Sequence, residues 1–111
     1  MNWLAVVGTR EMNDAICRDI ERFVGQKIAE GSGIVSGGAT GVDHEAARLA
    51  YENGLDASRF SIFLPVKLEL YCQALYDRAA AGKCRYDDAV DTANLLQKIC
   101  QSRPGVVHHV P

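Results

Sequence analysis

Gly33-Ile34-Val35-Ser36-Gly37-Gly38-Ala39-Thr40-Gly41-Val42-Asp43 joins a short β-branched run to a helical one through a glycine-rich turn. Ile34-Val35-Ser36 is too short and too β-branched to be a helix, so it reads as a strand. From Val42 to Asn53 the apolar residues Val42, Ala46, Leu49 and Ala50 fall on one side of a helix, with Glu45, Arg48 and Glu52 on the wet side. A strand turning directly into a helix is the unit from which parallel α/β sheets are built, so this stretch decides the fold class.

Working outward, Leu4-Ala5-Val6-Val7 is an apolar run ended by Gly8, the pattern of a strand buried on both faces of a parallel sheet. A helix follows from about Asn13 to Glu30, carrying Ala15, Ile16, Ile20, Phe23, Val24 and Ile28 near a 3.6-residue period, and Gly31-Ser32-Gly33 closes it. On the other side, Gly54 ends the second helix and Phe60-Ser61-Ile62-Phe63-Leu64 is a third strand stopped by Pro65. Leu68 to Ala81 reads as helix. Asp87 or Asp88 caps another helix running to about Cys100, and Val106 to Val110 is a last strand. The expected fold is α/β, a Rossmann-like three-layer αβα arrangement with a parallel sheet, small or truncated against the usual five or six strands.

Composition agrees with one folded domain over residues 1–111: the hydrophobic share is 48% and the charged share 23%. A net charge of -2 gives no global field for a polyanion, so any nucleic-acid role needs a local basic patch. No apolar run has the length of a membrane span, and the strand-like start carries no export signal, so the expectation is a cytoplasmic protein without membrane contact. Cys17, Cys72, Cys84 and Cys100 are far apart and form no Cys-x-x-Cys pair, so they read as small hydrophobes or inert thiols. His108 and His109 lack a third ligand at recognisable spacing, and neither a metal nor a cofactor is expected.

Ligands of open parallel sheets bind at the carboxyl ends of the strands, where both Gly8-Thr9-Arg10 and the Ser36-to-Asp43 turn lie. Three glycines exceed what a plain strand-to-helix link needs. They free the backbone to approach a ligand, while N–H groups at the start of the helix attract an anion. Thr40 or Ser36 adds a hydroxyl, and Arg10 offers a guanidinium to a phosphate or carboxylate, or else joins a surface ion pair. Asp43, in the first helical turn, either caps the helix or takes ribose hydroxyls. His44 and Glu45 read as a solvated histidine and a first-turn acid, and Tyr71 and Tyr76 as packing residues. No Gly-Lys-Ser/Thr follows the turn, which excludes a Walker A loop, and the glycine spacing departs from the dinucleotide fingerprint.

Gly8-Thr9-Arg10, together with the run from Gly33 through Asp43 and on to His44-Glu45-Ala46-Ala47, resembles the SLOG superfamily over about residues 3 to 65. That Rossmann-like group unites DNA processing protein A (DprA, or Smf) with the LOG phosphoribohydrolases. The Ser-Gly-Gly-Ala-x-Gly-x-Asp form is most similar to the DprA side and its small stand-alone members. The resemblance implies a nucleotide or nucleotide-derived phosphate ligand at Gly8, Thr9, Arg10, Ser36, Gly37, Gly38, Ala39, Thr40, Gly41 and Asp43. The LOG motif with its catalytic arginine and glutamate is absent, so the resemblance names a binding site without naming a reaction. Its later strand and Gly-Thr turn are also missing, so the resemblance implies either a domain incomplete at its C-terminal end or a degenerate relative.

Three functions compete. A sensor or binding module for a nucleotide derivative comes first. A nucleotide N-glycoside hydrolase would use Asp43 or His44 for acid–base work. A DprA-like module would bind single-stranded DNA through Arg48, Arg59, Lys67, Arg78, Lys83 and Arg85, which are scattered among acids. Homodimerisation would hide the exposed edges of a short sheet.

Overall fold

The computed structural model describes residues 1–110, and these alternate strands with helices: β1 (Trp3–Val6), α1 (Asp14–Ala29), β2 (Gly33–Ser36), α2 (Val42–Glu52), β3 (Phe60–Leu64), α3 (Leu68–Ala80), α4 (Tyr86–Ser102) and β4 (Val107–His109). Local sequence pattern places each element within a few residues of these bounds. The four strands form one parallel sheet in the order β1-β2-β3-β4, with Leu4 opposite Ile34, Ile34 opposite Phe60 and Ile62 opposite Val107. The α/β class, the parallel Rossmann-like sheet and the small size are those expected.

The sequential order has a geometric consequence. Strand-to-strand crossovers are right-handed, and here each one steps the sheet in the same direction, so every helix lands on the same face. One continuous core records this: Ile34, Phe60, Ile62 and Leu64 from the strands meet Val24 and Ile28 of α1, Ala47 and Ala50 of α2, Cys72 and Leu75 of α3, and Ala93, Leu96 and Ile99 of α4. The alternate strand residues point away from all of them, and Trp3 and Phe63 stay 46% and 49% exposed. Among the described residues, all four helices contribute to this one core.

Two local expectations change. β1 is not buried on both faces: it is an edge strand, and Ala5 and Val7 are exposed. Glu45 is not on the wet side of α2 but 8% exposed, where it pairs with Arg48, which also reaches Glu52 and, at 3.3 Å, Glu21. The α4 cap differs too. Arg85 is the N-cap residue, with no side-chain hydrogen bond, and Asp87 and Asp88 lie inside the first turn, where the helix dipole favours their charge. Asn13 caps α1 by accepting the Ile16 N–H at 2.8 Å.

Candidate functional site

At the carboxyl ends of β1 and β2 the chain makes two adjoining hollows that share Arg10, Glu11 and Lys83. The first, about 570 Å³, is bounded by Val7, Gly8, Thr9, Ala39 and Asp43. The second, about 640 Å³, runs under the α3–α4 loop past His44, Glu45, Asp88, Asp91 and Thr92.

The glycines of the turn prove to be dictated by the protein's own packing. Gly41, the N-cap of α2, has φ +85°, and a Cβ there would lie 2.4 Å from the Thr9 carbonyl oxygen and 2.6 Å from Arg10 Cα. The turn is thus pressed against the β1–α1 loop, and the Val42 N–H donates to that Thr9 carbonyl at 3.0 Å. A Cβ on Gly38 would lie 2.5 Å from Leu64 Cδ2 and 2.8 Å from Tyr71 Cε2, and one on Gly37 would lie 2.7 Å from Asp43 Oδ2. Ser36 is buried and its hydroxyl is directed to the carbonyls of Val6 (2.8 Å) and Asp43 (3.3 Å), tying β1 to the start of α2. Thr40 is buried as well. Thr9 Oγ1 accepts the Glu11 N–H at 3.1 Å and so shapes the loop that presents Arg10.

The expected site residues therefore separate into two sets. Gly8, Thr9, Arg10, Ala39 and Asp43 come together on the first hollow and Gly41 borders the second, whereas Ser36, Gly37, Gly38 and Thr40 line neither. Arg10 is exposed and enters no ion pair among the described residues. Asp43 is the second residue of α2, two positions past the Gly41 N-cap. It is only 6% exposed, and its Oδ1 is buried with no hydrogen-bond partner. Burial pushes its carboxyl above the usual carboxylate value; the backbone N–H groups of Gly8 and Ala39 and the charge of Arg10 offset part of that rise.

Sequence reasoning undervalued three residues. His44 is half-buried rather than solvated: its Nδ1 lies 3.2 Å from Thr92 Oγ1, and burial lowers its pKa, favouring the neutral ring. Tyr71 packs on Gly38 and has its phenol pushed up by burial, with Arg10 and Asp43 both near enough to influence it. Lys83 reaches the crevice from the α3–α4 loop, a placement that needs the tertiary fold. Two of the expected DNA-binding cations are spent elsewhere. Arg48 is held by its three glutamates, and Arg59 donates to the carbonyls of Ile28 (2.7 Å) and Ser32 (3.1 Å), joining the end of α1 to β3. Cys17, Glu21 and Glu45 bring three metal-ligand atoms within 4.8 Å of one another, but the Arg48 guanidinium already supplies the positive charge there.

The sequence profile of DNA recombination-mediator protein A matches residues 1–60, the stretch from β1 to the first residue of β3, which holds every lining residue of the first hollow except Lys83. The chain belongs to this family. Among curated proteins and among solved structures, none matches it. Family membership gives the chain a DNA-processing domain of Rossmann-like form. No helix of the described residues is long and apolar enough to cross a membrane.

Proposed function

We propose that the chain is a cytoplasmic binding module for a nucleotide or nucleotide-derived ligand, seated in the first hollow with its phosphate on Arg10 and Lys83. The observation that carries this reading is the pair of cations bordering one hollow at the strand carboxyl ends, neither of them in an ion pair among the described residues. The phosphate belongs on these side chains rather than on the start of α2. There the Val42 N–H is taken by Thr9 and the Asp43 carboxylate already brings negative charge to the helix end. A thermal-shift series with nucleoside monophosphates, ADP-ribose, NAD and oligonucleotides tests it, because a ligand that binds only the folded chain raises its melting temperature. Stabilisation lost in Arg10→Ala supports the site; no shift with any of them removes it.

The family match favours a second reading, in which the phosphate belongs to single-stranded DNA. Arg85 lines the same crevice as Arg10 and Lys83, giving three cations to a backbone. Binding would then fall steeply with salt, with a logarithmic slope of roughly 2 for three phosphate contacts at about 0.7 per contact on a single strand. Affinity independent of salt would exclude it. Self-association through the bare sheet face would complete the layering in either case, and sedimentation across a range of protein concentrations reads it directly.

A further inference from the structure

Asp43 presents an unfilled requirement that the packing of the domain does not explain. A buried carboxylate oxygen without a donor is costly, and native interiors leave very few such atoms. Here the carboxylate stands in the wall of the first hollow, 94% of the residue is covered, and Oδ1 has no partner while Gly8 and Ala39 turn their N–H groups towards the charge. Gly37 is kept without a Cβ by the other oxygen, Oδ2, so the turn is shaped around this side chain. The carboxylate does not serve as an N-cap, a role held by the Gly41 backbone. The terminal torsion of an aspartate is broad, so the rotamer alone does not fix which of its oxygens lies nearer the hollow that Asp43 lines.

What Oδ1 lacks is a hydrogen-bond donor, and the hollow that Asp43 lines is the one whose anion Arg10 and Lys83 would hold. In a nucleotide the group adjacent to the phosphate is the sugar, and the donors a sugar carries are its hydroxyls; the amino and imino donors of the base lie beyond it. We infer that Asp43 accepts a hydrogen bond from a free sugar hydroxyl of the ligand, so that the site selects a nucleotide with an unesterified hydroxyl over one whose sugar is deoxygenated or joined into a strand at that position. This inference rests on the crevice reading above and narrows its ligand to a mononucleotide-like molecule or a strand end.

The test is calorimetric titration of the wild-type chain with the four ribonucleoside 5′-monophosphates and with their 2′,3′-dideoxy counterparts, which keep the base and the phosphate. A hydrogen bond to a charged acceptor predicts that removing the hydroxyls weakens binding about tenfold or more. In Asp43→Ala the two series bind alike. Equal affinity of both series for the wild type overturns the hydroxyl assignment and leaves the crevice reading standing. Binding of neither series at millimolar concentration removes both. Discrimination that survives in folded Asp43→Ala also overturns the assignment, since another group would then read the sugar. The wild-type comparison decides the matter even if that variant fails to fold.

Discussion

The two faces of the sheet are made from alternate residues of the same four strands, yet they live in different solvents. On one face Ile34, Phe60 and Ile62 are fully covered by all four helices; on the other Trp3 and Phe63 are about half exposed and Phe63 stacks on His108 with ring centres 4.9 Å apart. Parallel sheets are ordinarily covered on both sides, because their crossovers carry helices to each. Here the order never reverses, so the crossovers leave one face to water or to a partner. Crossover direction, rather than strand composition, decides which apolar residues become core.

The sharpest way to break this comparison is a matched pair of truncations one residue apart. Ile62→Ala empties a fully covered site and is expected to cost about 2–5 kcal/mol in urea unfolding. Phe63→Ala removes a half-exposed ring and one stacking partner, and should cost about 1 kcal/mol or less. If Phe63→Ala costs as much as Ile62→Ala, and does so increasingly at higher protein concentration, the bare face is covered in solution by a second copy.

A smaller effect separates the turn's packing from its backbone conformation. Gly41 and Gly54 both have positive φ, but only Gly41 has backbone atoms where a Cβ would go. Gly54→Ala should cost about 1 kcal/mol for the left-handed conformation alone. Gly41→Ala should cost about 2 kcal/mol or more, because the β1–α1 loop must also move. Equal costs would mean that the loop yields easily, and the hollow would then be softer than its geometry implies.

These contrasts also mark what was legible beforehand. The eight elements follow from local pattern: β-branched runs, a 3.6-residue period, and glycines at the ends. The burial of β1 did not, because Leu4-Ala5-Val6-Val7 is apolar in both phases and reads as doubly buried whichever way the next crossover steps. The loops that form the site were legible from their glycines and Arg10, but those glycines turned out to face Leu64, Tyr71, Asp43 and the Thr9–Arg10 backbone. Lys83, the burial of Glu45 and the structural use of Arg59 depend on contacts far apart in sequence, which no local pattern encodes.

Asp43 gives a smaller, pH-dependent contrast between the site and the core. Its folded pKa is raised above 3.8, so the folded chain holds that proton more tightly than the unfolded chain does. The associated stability is complete below the unfolded value and is lost as pH rises through the folded one. Asp43→Asn removes this loss, so at pH 7 the variant should melt a few degrees higher than wild type, with the difference narrowing on acidification. A lower melting temperature at neutral pH would show instead that the N–H groups of Gly8 and Ala39 are worth more to the carboxylate than burial costs it.

The smallest stability effect is expected at Arg10, and it separates site from scaffold most cleanly. The side chain is exposed, unpaired among the described residues and outside the core, so Arg10→Ala should change unfolding free energy by no more than about 0.5 kcal/mol. Removing one charged contact to a phosphate should nevertheless weaken nucleotide binding about tenfold or more. Ile62→Ala behaves in the opposite sense: it destabilises the domain, while the molecules that remain folded keep their affinity. If Arg10→Ala instead lowers stability and leaves binding intact, Arg10 belongs with Gly41 to the packing of the β1–α1 loop, and in the first hollow the anion must be held by Lys83.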